Sequence, residues 1–306
     1  MKVSVLMITY NHEQFIAQAL DSVLMQQVDF DYEIVIGEDC STDDTRKILI
    51  EYQQNFPDKI RLLLPEKNHG MIRNFVGTYR DCRGEYIAIL EGDDLWTSPL
   101  KLQKQVDFLD AHPDCAASFH NVTVIYEHDN KPAHLFHKKR LRPFFTLRDI
   151  VSDFFIPTCS TLCRNGLIEQ FPEWYFDMAM GDWPLHVLNA EHGHFAYIDE
   201  SLASYRVHSG GIWSQSKKRD TLQKSIFAAE TINRHLGYRF DKIIRKKITM
   251  LEYETAVVFV DGGDVKSAFS HAWKALLASP LYLKVYQRII FKVFVKGLHV
   301  KFKNCR

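Results

Sequence analysis

Apolar positions in the first 120 residues follow two alternating periods. Near-continuous runs rich in β-branched and aromatic residues occupy Val3–Thr9, Tyr32–Gly37, Ile60–Leu64 and Glu85–Leu90. This is the pattern of strands buried on both faces. Between them the period becomes that of a helix. His12–Gln26 repeats Phe15, Ile16, Ala19, Leu20, Val23 and Leu24 at helical spacing. Ser41 with Asp44 predicts a capping box for a second helix, which carries Ile48, Leu49 and Tyr52 until Pro57 stops it. Met71–Asp81 reads as a third helix. Ser98-Pro99 supplies an N-cap and a first-turn proline for a fourth, ending near His112.

Alternation of this kind predicts an α/β fold, a parallel sheet covered by helices, with ligands at the carboxyl ends of its strands. Four polar clusters fall at those ends: Thr9-Tyr10-Asn11, Glu38-Asp39, Asn68-His69-Gly70 and Glu91-Gly92-Asp93-Asp94. After about Asn121 the alternation breaks down. Val122–Tyr126 and Pro157–Arg164 are strand-like, His128–Arg142 reads as a polar, basic loop, and Asp182–His192 as a helix. "FAYIDESLASYRVHSGGIWS" predicts a strand followed by a glycine-containing loop. From Gln215 onward nearly everything reads as helix, with turns near Gly237, Gly262-Gly263 and Ser279-Pro280. The expected division is therefore 1–214, in two halves at 1–120 and 121–214, followed by a helical region at 215–306.

Composition adds an asymmetry. With 46% hydrophobic and 25% charged residues the chain is that of a folded protein. Its formal net charge is zero, yet residues 265–306 hold nine Lys/Arg and no Asp/Glu, which leaves an acidic body. Such a body argues against a nucleic-acid binder. The six cysteines include no C-x-x-C pair and no zinc-type spacing, so reduced thiols in a cytoplasmic protein are expected, with Cys159 and Cys163 filling the core. "MKVSVLMITYN" predicts a first strand, not a signal peptide, and no apolar run reaches the ~18 residues of a membrane span.

The acids after the fourth strand carry the sharpest chemical question. Glu91, Asp93 and Asp94 repel one another unless something positive sits among them. Neither a G-x-G-x-x-G after the first strand nor a P-loop is present, so phosphate would have to be held another way. Carboxylates can hold Mg²⁺ or Mn²⁺, which bridges to a diphosphate. A solvated turn, with Asp94 starting the next helix, is the plain alternative.

Taken in order, "SVLMITYNHEQFIAQALDSVLMQ", "YEIVIGEDCSTDDT", "NHGMIRNF" and "GEYIAILEGDDLW" resemble family 2 glycosyltransferases of the GT-A fold. The likeness is strongest over about residues 3–120, continues through "GDWPLHVLNAEHG" and "SYRVHSGGIWS", and fades after about 215. It implies a mixed, mostly parallel sheet flanked by helices, and an inverting transfer from a nucleotide-diphosphate sugar, by default a UDP-sugar. Thr9 and Tyr10 match nucleoside-contacting positions, and Asp39 matches the acid that binds the base, with Glu38 beside it. The family more often has Asp-Asp-Gly there, so Glu38 and Cys40 depart from it. Asn68, Gly70 and Arg73 lie in the loop that lines the sugar or diphosphate. Glu91-Gly92-Asp93 stands where the D-x-D motif stands, with Glu91 toward the ribose and Asp93 on the metal. Asp182 in "MGDWPL" matches the catalytic base, Gly181 replacing the usual Glu, although it would also cap the helix behind it.

Arg206 and His208, before Gly210-Gly211, suit a flexible lid over the diphosphate, with His208 completing the metal shell; an ordinary surface histidine is the alternative. Trp213 would stack on substrate or anchor the loop. "HKKRLR" at 137–142 is a solvated loop or a contact for an anionic acceptor. In the tail, Lys284, Arg288, Lys292 and Lys296 lie four apart beside an apolar, aromatic face. That pattern predicts a peripheral contact of 280–306 with the inner face of the cell membrane, suited to a lipid-linked or saccharide acceptor, or packing on the acidic body. Two other functions use the same residues: a metal-dependent nucleotidyltransferase that makes a nucleotide sugar, and a non-catalytic sugar-nucleotide scaffold.

Overall fold

Strand β1 (Val3–Thr9) is buried at every residue and pairs in parallel with β2 (Tyr32–Glu38) on one side and β4 (Tyr86–Ile89) on the other, in a computed structural model that describes residues 1–127, 129, 131–211 and 217–278. β3 (Ile60–Leu63) extends the parallel set beyond β2. Helices α1 (Ile16–Leu24), α2 (Thr45–Asn55) and α3 (Met71–Asp81) connect these strands, and α4 (Lys101–Ala111) follows the short β5 (Leu95–Trp96).

The sheet continues by crossing to antiparallel pairs. β9 (Leu162–Arg164) lies between β4 and β6 (Cys115–Tyr126), antiparallel to both. β6 then runs parallel to β10 (His194–Val207), and β10 pairs antiparallel with β5. The order is β3-β2-β1-β4-β9-β6-β10-β5, with β7 (His134–Leu135) beside β6 and β8 (Phe144–Phe145) beside β10. Pairing β10 with β5 returns the end of a distant strand to the turn just after β4. One core joins Val3, Val5, Ile34, Ala88, Leu90, Trp96, Leu102 and Leu162. Cys159 and Cys163 are both fully buried within it or beside it, and the described cysteines are free thiols.

Two predicted helix starts are corrected. The second helix begins at Thr45, and Ser41 does not cap it, because its Oγ accepts from the amide of Asn11. α4 begins at Lys101, later than its proline predicts, although Ser98 Oγ does accept the Leu100 amide, at 3.3 Å. The segment 157–164 is strand only over its last three residues, a 3-10 turn occupying Thr158–Ser160.

The chain divides into two units, Met1–Ile150 with Phe154–Ser209, and Val151–Asp153 with Gly210–Arg306. The first contains the sheet together with α5 (Leu147–Ile150) and α6 (Asp182–Ala190). The described part of the second holds α7 (Lys218–His235), α8 (Asp241–Asp261) and α9 (Val265–Ala278), with turns at Gly237 and Gly262-Gly263. α8 and α9 pack through Val260, Ala268 and Ala275, and His271 Nδ1 lies 2.5 Å from Glu252 Oε2. No described helix is long and apolar enough to cross a membrane. The basic segment 280–306 and Trp213 lie outside the described residues.

Candidate active site

The loop after β4 is held against the end of β1 by its backbone. Leu90 and Gly92 donate their amides to the carbonyls of Leu6 and Ile8, each at 3.0 Å, which continues the strand ladder by another turn of the pleat. A Cβ on Gly92 would lie 2.7 Å from Thr9 Oγ1 and 2.9 Å from Ile16 Cδ1, so only glycine lets the loop sit this close. The acids that follow are thereby aimed back over the rim. Asp94 is buried, and its Oδ1 accepts the Arg206 amide at 2.8 Å. Burial, then the charge of Asp93, raises its carboxyl well above the usual carboxylate range. Glu91 is raised in the same way, by burial first and then by Asp93, Asp94 and Asp182.

Asp93 behaves differently because two imidazoles face it. His208 Nε2 lies 3.0 Å from Asp93 Oδ2, and His12 Nε2 lies 3.6 Å from the same oxygen. Burial would raise the Asp93 carboxyl, but the His208 hydrogen bond and the charge of His12 outweigh it, and the net shift is downward. His12 is itself lowered by burial, against the pull of Asp93. The donor atoms of His12, Asp93 and His208 all lie within 4.8 Å of one another. Neighbouring donors around a hard or borderline divalent ion with bonds of about 2.1 Å sit roughly 3 Å apart. The trio therefore fits such an ion with small adjustments.

Three different elements bring these groups together. His208 follows β10 and rests on Phe15, ring centroids 4.6 Å apart, while the Arg206 guanidinium lies 4.8 Å from the centroid of the same ring. His12 follows β1, its Nδ1 lies 3.1 Å from Thr9 Oγ1, and its amide donates to Thr45 Oγ1 at 2.8 Å. Sequence reasoning did not single out His12. Its one signal was an imidazole three residues beyond the buried Thr9, on the same rim as the acids.

The remaining predicted residues sort into two groups. Asp39 gathers the loop at 68–70: its carboxylate accepts the amides of His69 at 2.7 Å and Gly70 at 2.9 Å, and its carbonyl accepts Asn68 Nδ2 at 2.9 Å. Gly70 has φ +84°, which an L side chain rarely adopts. Tyr10 is exposed at the rim, and Arg73, on the first turn of α3, lies exposed with its guanidinium 5.4 Å over Phe176. Asp182 opens α6, its Oδ2 within 3.4 Å of Thr158 Oγ1 and its Oδ1 accepting the Trp183 amide at 2.9 Å. Burial raises its carboxyl. A Cβ on Gly181 would stand 3.1 Å from Tyr175 Oη and 3.2 Å from Ile72 Cδ1, so the position that departs from the family pattern is tightly packed.

Two residues expected to touch substrate are turned inward. Glu38 is fully buried, with one carboxylate oxygen on the Ser41 amide at 2.5 Å and the other on Arg46. It braces the β2–α2 loop, since both oxygens are already engaged below the rim. Arg206 is 7% exposed; it donates to the Asp93 carbonyl at 2.8 Å and to Gln18 at 2.8 Å, and it pairs with Glu127. It is a clamp behind Asp93, not a free cation on a lid.

Residues 4–170 match the sequence profile of Glycosyl transferase family 2. The chain belongs to that family. An uncharacterised protein of Mycobacterium tuberculosis is 38% identical over 214 residues, 69% of this chain and 60% of the relative's length. The putative teichuronic acid biosynthesis glycosyltransferase TuaG of Bacillus subtilis is 30% identical over 224 residues, 71% of this chain and 84% of that one. Among solved structures, S. aureus TarS 1–349 in complex with UDP-GlcNAc superposes with a TM-score of 0.68 at 18% identity, covering 98% of this chain and 89% of that one. The mannosyltransferase PcManGT from Pyrobaculum calidifontis, in complex with GDP-Man and Mn²⁺, superposes with a TM-score of 0.55 at 17% identity, covering 97% and 87%. The fold is GT-A, a mixed, mostly parallel sheet flanked by helices and followed by C-terminal helices.

Proposed function

We propose that this family 2 glycosyltransferase is an inverting enzyme that moves a hexosyl or N-acetylhexosaminyl group from a UDP-sugar to a hydroxyl of a saccharide or lipid-linked acceptor in surface polysaccharide assembly. The observation that carries the reading is the Asp93 carboxylate facing two imidazoles on the rim that also holds Asp39, Asn68, Gly70 and Asp182. Tyr10 and Asp39 bind the nucleoside, with Thr9 beneath them. Asn68, Gly70 and Arg73 line the sugar and diphosphate, and Glu91 with Gly92 closes the ribose side. Trp213 stacks on the substrate. Asp93 and His208 would hold a divalent ion, Mn²⁺ or Mg²⁺, whose charge would offset that of the diphosphate leaving group.

Asp182 takes the proton of the acceptor hydroxyl as its oxygen attacks the anomeric carbon. The bond from that carbon to the diphosphate breaks, and the nucleoside diphosphate leaves. Direct displacement needs one base, and a carboxyl raised by burial is better matched to that task near neutral pH. The complexes of the two structural neighbours with UDP-GlcNAc and with GDP-Man and Mn²⁺ support the donor class and the metal, and the teichuronic-acid relative supports a surface polymer. The nine Lys/Arg of 265–306 support a peripheral position at the inner face of the cell membrane, with 280–306 as the contact.

Incubation with Mn²⁺ and a panel of nucleotide sugars tests this. Release of a nucleoside diphosphate from one donor, lost in Asp182→Asn and Asp93→Asn, is the expected result. Pyrophosphate release would point to a nucleotidyltransferase, and donor binding without turnover to a scaffold.

A further inference from the structure

We propose that His12 is a third protein ligand, so that His12, Asp93 and His208 form a facial site of two imidazoles and one carboxylate that takes up a divalent first-row transition ion before any nucleotide binds and discriminates against Mg²⁺. The inference rests on the metal-dependent reading of this site and deepens it. An ion held by one acid and one imidazole depends on the diphosphate for most of its shell. A third protein donor changes that balance.

Geometry supports the third donor. His12 Nε2 and His208 Nε2 approach the same Asp93 oxygen, at 3.6 and 3.0 Å, and the three donor atoms span no more than 4.8 Å. The other ring nitrogen of His12 lies 3.1 Å from Thr9 Oγ1. When Nδ1–H donates to that hydroxyl, Nε2 carries the lone pair and faces Asp93, the tautomer a ligand requires.

The donors are also held in place independently of any substrate. The His12 backbone is tied to Thr45 Oγ1 at 2.8 Å, and the neighbouring Glu13 amide to Asp43 Oδ2 at 3.1 Å. The Asp93 carbonyl accepts Arg206 Nε at 2.8 Å. The His208 ring packs edge-on against the buried Phe15. A site fixed by three separately braced elements needs little reorganisation on binding, which favours loading without nucleotide.

Donor chemistry then sets the metal. Mg²⁺ prefers oxygen ligands and keeps several waters, whereas imidazole nitrogen suits the borderline transition ions. Three donors on one face leave the opposite positions for water or diphosphate oxygens. Two imidazoles at these positions therefore favour Mn²⁺ and its neighbours over Mg²⁺.

Electron paramagnetic resonance of free Mn²⁺, titrated into the full nucleotide-free chain, reads binding directly. One Mn²⁺ should bind per chain, and a hundredfold excess of Mg²⁺ should leave most of it in place. His12→Ala and His12→Gln, checked for an unchanged circular dichroism spectrum, should each weaken Mn²⁺ by tenfold or more. No binding without nucleotide, equal affinity in both His12 variants, or ready displacement by Mg²⁺ would overturn the proposal. Mn²⁺-supported release of a nucleoside diphosphate alongside any of those results would leave the glycosyltransferase reading standing and remove only this one. His12-dependent Mn²⁺ binding without turnover of any donor would do the reverse.

Discussion

Arg206 donates from Nε to the carbonyl oxygen of Asp93 at 2.8 Å, so the loop bearing this acid hangs from a strand more than a hundred residues away in the chain. The same guanidinium reaches Gln18 and Glu127, and the Arg206 amide holds Asp94. A lysine presents one compact head and cannot span these partners. Arg206→Lys should therefore lose about 1–2 kcal/mol of stability, because the buried head can no longer make all of these hydrogen bonds, while Gln18 and Glu127 stay partly open to water. Urea unfolding measures the loss. Mn²⁺ affinity should fall with it, and a variant as stable and as tightly metal-binding as wild type would refute the clamp.

As the proposed base, Asp182 would set a pH dependence. A base must be deprotonated to act, so turnover falls as pH drops through its pKa. Burial raises that carboxyl, which moves the acid limb of kcat above the ordinary carboxylate range near about 4. In Asp182→Asn, kcat should drop by about 10²–10⁴, with donor affinity close to wild type. A kcat plateau extending below that ordinary range, or an active Asn variant, would remove Asp182 as the base.

Local segments were the legible part of this fold. Val3–Thr9 and Met71–Asp81 match their apolar periods residue for residue, because each is decided by neighbours along the chain. Helix starts were less legible: Ser41 had the right spacing for a cap, but its hydroxyl is drawn to Asn11 on another loop. β6 begins at Cys115, well before the strand-like Val122–Tyr126, since buried polar residues such as Ser118 and His120 interrupt the alternation, whereas β10 follows its pattern from Phe195 to Val207. In the site, Asp93 and His208 were readable together as candidate metal ligands. His12 was not, because a lone histidine in a loop gains meaning only once β10 returns His208 to Asp93. Glu38 shows the converse, an acid in a functional-looking motif whose charge is spent on Arg46.

Cys40 occupies a position of φ +61°, in the left-handed region that glycine adopts without cost. Its thiol is only 3.6 Å from the Glu66 carbonyl, a weak compensation. Cys40→Gly should relieve about 1–2 kcal/mol of backbone strain and return part of it as unfolded-chain entropy. A net gain of about 0.5–1 kcal/mol is expected in chemical denaturation. Loss of stability would mean that the thiol packs to more effect than its contacts suggest.

Lys101 has a fully buried side chain whose Nζ lies 3.9 Å from the centre of the Trp96 ring and has no hydrogen-bond partner among the described residues. Burial lowers its pKa from 10.5 to about 7. Between those values the unfolded chain holds a proton that the folded chain does not, so stability rises with pH across that window. Below about pH 7 both states are protonated, and the whole cost of burying the ammonium falls on the folded state. The shift corresponds to about 5 kcal/mol, reduced by about 1–2 kcal/mol of cation–π attraction to Trp96. Lys101→Met, which keeps the volume of the stem, should therefore be more stable than wild type by about 3–4 kcal/mol at pH 7, with the gap narrowing steadily toward pH 10. Paired urea titrations at several pH values measure both the gap and its slope. A gap that is absent at pH 7, or constant with pH, would show that the buried ammonium is compensated in the folded protein.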